Sequence, residues 1–170
     1  AGWRDWRPGA IPPFSGFPFD PGWALRYRKK AVSQGRPVIT YRSLLFVPGD
    51  RPDRFGKAVA AGPDGVIIDL EDAVLPAAKA QARTETLAWL GAWRGRGLGL
   101  RINSPRTAVG CADLAALASS GATARADFII VPKADTAVDL EIVAEAIGRK
   151  IPLIAIMESG RALSNVYEIA

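Results

Sequence analysis

The residues able to do chemistry stand in five short clusters, each at the end of an apolar run. They are Pro48-Gly49-Asp50-Arg51, Asp69-Leu70-Glu71-Asp72, Arg101-Ile102-Asn103, Pro132-Lys133 and Glu158-Ser159. Glu158 closes an apolar stretch, where an unpaired carboxylate is costly. A Lys or Arg partner or a hard divalent cation would stabilise it, and an oxygen-only site suits Mg2+. Arg101 lies within the apolar run 98–102, and its forked guanidinium suits a carboxylate or a carbonyl oxygen that gains charge. Glu71 and Asp72 form an acidic pair that could hold metal-bound water or orient Arg101; a salt-bridge network closing that end of the fold explains them equally well. Lys133 is expected to pair with such carboxylates, with a Schiff-base role as the alternative. The Pro48-Gly49 turn lets backbone approach whatever sits above it, and Arg51, Arg54 and Lys57 follow where they could meet phosphates.

Positioning these clusters requires a regular scaffold, and from Tyr41 the sequence supplies one. The runs 43–47, 65–70, 98–102, 128–131 and 152–157 are rich in Val, Ile, Leu and Phe and alternate little. Strands buried on both faces of a parallel sheet have this character. Between them, 54–61, 77–93, 111–120 and 136–148 are helix-compatible, and another helix begins at Gly160. Leu87, Leu90 and Trp93 give the second helix an apolar face, Thr136 is a candidate N-cap, and Gly121 and Gly148 are candidate stops. This alternation predicts an α/β fold of parallel strands with right-handed crossovers. In such folds the loops after the strands form the active face. The inward-facing residues are expected to be Val47, Ile68, Ile102, Ile130 and Ile156. An eight-stranded barrel takes about 250 residues. The sequence therefore reads as the amino-terminal part of one, truncated after about five strands and not expected to be a competent enzyme alone.

Composition narrows the function classes. The chain has no histidine, which excludes Ser-His-Asp and Cys-His catalysis and every His-ligated metal. Acid–base work falls to carboxylates, Lys or water. One cysteine, Cys111, excludes an intramolecular disulfide and fits a reduced, cytoplasmic setting; it reads as a buried structural thiol. The net charge of +5 is concentrated early, in Arg26, Arg28, Lys29, Lys30 and Arg36, without a nucleic-acid recognition motif, so a solvated tail is expected and no nucleic-acid partner. No apolar run is long enough to span a bilayer, so no membrane association is expected. Residues 1–40 carry Pro8, Pro12, Pro13, Pro18, Pro21 and Pro37 and keep no period, so they read as an irregular extension ahead of the 41–170 domain. Asp5 and Asp20 argue against a transit peptide there.

Several motifs occur together in order: Ser43-Leu-Leu-Phe-Val-Pro-Gly49, Asp69-Leu-Glu-Asp-Ala-Val74, Leu100-Arg-Ile-Asn103, Val131-Pro-Lys133 and Ile154-Ala-Ile-Met-Glu158. In order and spacing they resemble the citrate lyase β-subunit-like proteins of the HpcH/HpaI aldolase superfamily, over about residues 41–170. The resemblance implies a TIM (β/α)8 barrel, Mg2+ as cofactor, and cleavage or condensation of acyl-CoA substrates such as citryl-CoA or malyl-CoA. It implies that Arg101 binds substrate oxygens, that Glu158 is a Mg2+ ligand, and that Phe46, Arg54 and Lys57 contact the CoA moiety. Glu71, Asp72 and Lys133 would stand just behind them. A homo-oligomer is expected for the full-length protein. Pyruvate-aldolase members of the superfamily show an acidic pair followed by His after the second strand, where this sequence has Asp72, which favours the CoA-lyase branch. Two other functions stay open: a CoA-independent hydroxy-keto-acid aldolase, and a non-catalytic subunit that binds acyl-CoA or an acyl carrier.

Overall fold

The computed structural model describes residues 41–148 and 151–170. The expected extension 1–40 lies outside the described residues. Five strands, β1 (Leu44–Pro48), β2 (Gly65–Asp69), β3 (Leu98–Arg101), β4 (Phe128–Val131) and β5 (Leu153–Ala155), form one sheet in the order β1-β2-β3-β4-β5, every pair parallel. The helices between them are α1 (Pro52–Ala60), α2 (Lys79–Ala92), α3 (Ala108–Ser120) and α4 (Ala137–Ile147); α5 (Gly160–Ser164) and α6 (Val166–Ile169) follow β5. This is the expected β/α-barrel progression, in which each strand pairs with its sequence neighbours.

Local chemistry sets the helix ends. Pro52 stands in the first turn of α1, where its missing N–H costs nothing. A 3-10 turn over Pro76–Ala78 leads into α2, so the regular helix starts two residues later than its composition predicts. The Thr107 hydroxyl accepts from Gly110 N at 3.0 Å, which starts α3 earlier than expected. Asp139 accepts from the Thr136 N–H at 2.9 Å and closes a capping box on α4. Gly121 and Gly148 end α3 and α4 in the left-handed conformation.

Val47, Val66, Ile68, Leu98, Leu100, Ile129 and Val131 point to one side of the sheet. There they pack with Phe55 of α1, Leu90 of α2, Leu114 and Leu117 of α3, and Val143 and Ile147 of α4. An aromatic ladder ties α1 to α2: Phe55 meets Trp89 edge-on at 5.4 Å, and Trp89 stacks on Trp93 at 5.1 Å. The other side holds a separate cluster, Ile67, Phe128 and Ile130, with Tyr41 and Ile156 against it. All four long helices thus cover one face, and the opposite face is the barrel interior.

The expected facing is therefore wrong at three of its five positions. Ile130 and Ile156 face the interior, but Val47, Ile68 and Ile102 face the helices. Successive strand residues point to opposite sides, so the interior position on β2 is Ile67 and on β3 is Arg101. Cys111 also departs from expectation. It is exposed on α3, whose buried side carries Gly110, Asp113, Leu114 and Leu117, and its thiol is 3.5 Å from the Pro105 carbonyl.

Candidate active site at the carboxyl ends of the strands

Parallel pairing brings the last residues of neighbouring strands to one level. Pro48 of β1 pairs with Asp69 of β2, and Asp69 with Arg101 of β3. The turn after β1 lies against this level: Gly49 N donates to the Asp69 carbonyl at 2.8 Å. A Cβ on Gly49 would stand 2.9 Å from that carbonyl, so the glycine serves close packing of two loops.

The centre of the rim is a fork-to-fork pair. Arg101 Nε and NH2 donate to the two oxygens of Asp69, at 2.7 and 2.5 Å. Asp69 is buried and also accepts from the N–H groups of Glu71 at 2.8 Å and Ala73 at 3.1 Å. Burial alone would raise its pKa. The bonds from Arg101 and the two amides outweigh that and hold the carboxyl below the usual Asp range. The same hydrogen bond holds the Arg101 guanidinium more firmly protonated, against the cost of its burial. The remaining edge of Arg101, at NH1, lies 3.3 Å from Glu71 Oε2 and 3.8 Å from Asp72 Oδ2. The Phe46 ring, on the interior side of β1, sits under the guanidinium with its centroid 5.0 Å from Cζ.

Lys133 closes the rim from the far side. Its ammonium donates to Glu71 Oε1 at 2.6 Å and stands 3.8 Å from Asp72, and the Glu71 hydrogen bond raises its pKa. An ammonium held protonated in this way is a poor amine nucleophile, which argues against the Schiff-base alternative. Lys133 has a φ of 52°, an unusual conformation for a side-chain-bearing residue. It turns the Lys133 N–H toward Glu158 Oε1 at 3.4 Å. Glu158 itself is exposed, three residues past the end of β5.

The structure thus brings together Phe46, Glu71, Asp72, Arg101, Lys133 and Glu158. It does not bring Arg54 or Lys57 into that group: both are exposed on α1, without an ion pair among the described residues. Arg51 pairs with Asp53 at 3.1 Å. Reading single motifs missed Asp69, the main partner of Arg101. The signal was present, because both residues end consecutive parallel strands and so share a level. It also missed the support beneath the rim. Lys79, Asp113 and Arg83 are joined through Asn103, itself one of the strand-end residues, by hydrogen bonds of 2.7–2.9 Å, and nothing in an apolar-run reading singles those three out.

The HpcH/HpaI aldolase/citrate lyase family model matches residues 42–170. A (3S)-malyl-CoA thioesterase of Cereibacter sphaeroides is 39% identical over 132 residues, which cover 76% of this chain and 45% of the relative. An L-malyl-CoA/beta-methylmalyl-CoA lyase of the same species is 34% identical over 157 residues, 86% of this chain and 48% of the relative. Among solved structures, protein CitE from Mycobacterium tuberculosis in complex with magnesium, acetoacetate and coenzyme A superposes with a TM-score of 0.60 at 33% identity. That match covers 78% of this chain and 45% of that one. The chain spans about half the length of the curated relatives it matches.

Proposed function

This chain belongs to the HpcH/HpaI aldolase/citrate lyase family, and we propose that it provides the strand-end face of a Mg2+-dependent carbon–carbon lyase acting on acyl-CoA substrates of the malyl-CoA or citryl-CoA type. The observation that carries this reading is the single rim on which Arg101, pinned by Asp69, faces Glu71, Asp72, Lys133 and Glu158. Its likeness to a malyl-CoA/β-methylmalyl-CoA lyase and to a CitE bound to magnesium and coenzyme A supports the chemistry.

The rim residues fit Mg2+. Two cations, Arg101 and Lys133, stand among four carboxylates, Asp69, Glu71, Asp72 and Glu158, which leaves an excess of negative charge. Glu71 Oε2 is buried and has the Arg101 ion pair at 3.3 Å but no hydrogen bond of good geometry, so it keeps acceptor capacity that a metal-bound water would satisfy. Among the described residues no three of these side chains are placed to hold one ion together. Mg2+ tolerates that, because it keeps several waters and binds through one or two carboxylates. Glu158 would hold it directly, with Glu71 and Asp72 bonded to its waters. When bound, Mg2+ supplies positive charge where a substrate oxygen turns negative.

Arg101 does the complementary work. Its Nε and NH2 are spent on Asp69, so the guanidinium is fixed and its NH1 edge faces the rim. Such a preorganised donor stabilises a developing oxyanion without reorganisation. In the cleavage of a β-hydroxyacyl thioester, the hydroxyl proton leaves and the bond between the hydroxyl carbon and the carbon next to the thioester breaks. The electron pair goes to the thioester enolate, which takes up a proton. Malyl-CoA gives glyoxylate and acetyl-CoA in this way. Phe46, Arg54 and Lys57 are assigned to the CoA moiety: Arg54 and Lys57 are exposed cations on α1, the helix that follows the β1 turn at the rim. A cytoplasmic homo-oligomer is part of the same proposal. Among the described residues no helix is long and apolar enough to cross a membrane.

The 39% identity to a (3S)-malyl-CoA thioesterase favours a second reading, hydrolysis of the thioester with loss of CoA as the thiol. One assay separates the two. The whole protein is incubated with malyl-CoA and Mg2+, free thiol is read with a thiol reagent, and glyoxylate is read as its hydrazone. Glyoxylate without free thiol supports the lyase; free thiol and malate without glyoxylate replaces it with the thioesterase. Neither product overturns both.

A further inference from the structure

Lys79, the first residue of α2, spends its ammonium on the backbone of the acidic loop. Nζ donates to the carbonyl oxygens of Leu70 at 2.7 Å and Glu71 at 2.5 Å, and to Asn103 Oδ1 at 2.8 Å. An ammonium has three N–H groups, so all three are used. Acidic residues surround it, yet among the described residues no carboxylate oxygen lies within salt-bridge distance of Lys79. Its partners are therefore the carbonyls on either side of the Glu71 Cα and the side chain of Asn103.

Those partners are themselves anchored. Asn103, just past β3, donates through Nδ2 to the same Leu70 carbonyl at 2.9 Å and to Asp113 Oδ2 at 2.7 Å. Asp113 is buried on α3 and accepts from Asn103 N at 2.9 Å. Arg83, one turn after Lys79 on α2, donates to the other Asp113 oxygen at 2.7 Å. Lys79 and Arg83 thus clamp the end of β3 and the loop after β2 to α2 and α3. Above the clamp, the Glu71 amide bonds to Asp69, and the Glu71 carboxylate reaches Lys133 and Arg101.

We propose that Lys79 is a positioning residue for the rim: by holding the Leu70 and Glu71 carbonyls from below, it fixes where the Glu71 and Asp72 carboxylates stand and so sets the affinity of the site for Mg2+. The link to Mg2+ rests on the function proposed above; the clamp rests on geometry alone. Lys79→Met keeps an apolar stem of similar reach and removes all three donors. Lys79→Arg keeps the charge but presents a planar fork to three convergent acceptors, so it should restore only part of the effect. Leu90→Ala is the control. Leu90 lies on the same helix, is fully buried in the core and touches none of these groups, so it lowers stability without touching the loop.

Two readouts on the whole protein decide the matter. The first is amide hydrogen exchange without metal at Glu71, Ala73 and Val74, whose N–H groups bond to Asp69 Oδ1, Asp69 Oδ2 and the Glu71 carbonyl. The second is calorimetric titration with MgCl2. In Lys79→Met these amides should lose protection beyond any change in Leu90→Ala, and Mg2+ affinity should fall by about 10- to 100-fold, the usual effect of losing outer support of a metal site. Leu90→Ala should leave Mg2+ affinity unchanged. If Lys79→Met does not fold, Lys79→Arg is read the same way with a smaller shift. Unchanged protection at these amides overturns the positioning role. Lost protection with unchanged Mg2+ affinity overturns the link between the loop and the metal. A parent protein that binds no Mg2+ overturns that link together with the proposed cofactor, and the exchange data still decide the clamp.

Discussion

Asp69→Asn should be among the most destabilising conservative substitutions in the domain. The carboxylate is buried and accepts four hydrogen bonds, two from Arg101 and one each from the amides of Glu71 and Ala73. An Asn keeps one acceptor oxygen and turns an NH2 toward groups that are themselves donors, so about half of these bonds are lost. Removing one partner of a buried pair costs about 3–5 kcal/mol. Arg101 keeps Glu71 at 3.3 Å and Asp72 at 3.8 Å, which places the loss near the lower end. With a urea slope of about 1–3 kcal/mol per molar, a loss of about 3 kcal/mol moves the midpoint down by about 1–3 M. The pH dependence fixes the cause. The folded pKa of Asp69 is held below its unfolded value, so its contribution is fully present above the unfolded value of about 3.9 and is lost as pH falls through the folded pKa. The gap between parent and Asp69→Asn should therefore be wide at neutral pH and close in acid. A gap under about 1 kcal/mol at neutral pH, or one that does not narrow in acid, would refute the buried-pair reasoning.

Glu158→Gln and Arg101→Ala should both lower acyl-CoA turnover, for different reasons that a Mg2+ titration separates. The first weakens Mg2+ binding because a neutral amide replaces a charged oxygen ligand. The second keeps the direct ligand, so Mg2+ affinity should fall less than in Glu158→Gln, and it costs about 2–4 kcal/mol of transition-state stabilisation; unchanged metal affinity in Glu158→Gln would reject the ligand assignment. Gly110→Ala should destabilise the protein by about 1–3 kcal/mol or more in a thermal melt, because a Cβ there would lie 2.0 Å from the Ser104 backbone oxygen. Asp64 should titrate at about 2, held down chiefly by the Arg42 side chain with help from the Arg42 and Ser43 amides. Its share of stability is present above about 3.9 and disappears as pH falls through that lower value. An NMR titration of Arg42→Gln should show the carboxyl moving up toward an ordinary Asp, and no movement would reject the pairing.

The strands were legible because a parallel sheet buried on both faces writes itself as unbroken apolar runs, and each run ends in a polar cluster. The same lack of alternation hid which residues face the interior. Only the polar ends carry that information. Arg101 must face the site, so Ile102 must face away, and Ile67, two residues before Asp69, must face in. The roles of Arg101, Glu71 and Lys133 as one charged group were legible from their positions at strand ends. Asp69 was not singled out, because within Asp69-Leu-Glu-Asp it looks like one acid of three; only the pairing register sets it against Arg101. Lys79, Arg83 and Asp113 lie in helices, where charges usually mean a solvated face. That Asp113 is buried and Lys79 turns inward depends on how α2 and α3 pack, which composition does not encode.

A crystal structure of the whole protein with Mg2+ and a non-cleavable malyl-CoA analogue tests the central claim most directly. The expected result has Mg2+ at about 2.0–2.1 Å from a Glu158 oxygen, with Arg101 NH1 in hydrogen-bond reach of a substrate oxygen and Glu71 and Asp72 facing the metal's waters. A metal or acyl group bound at the opposite end of the sheet, or bound at the rim without contact to Glu158 or Arg101, would contradict it.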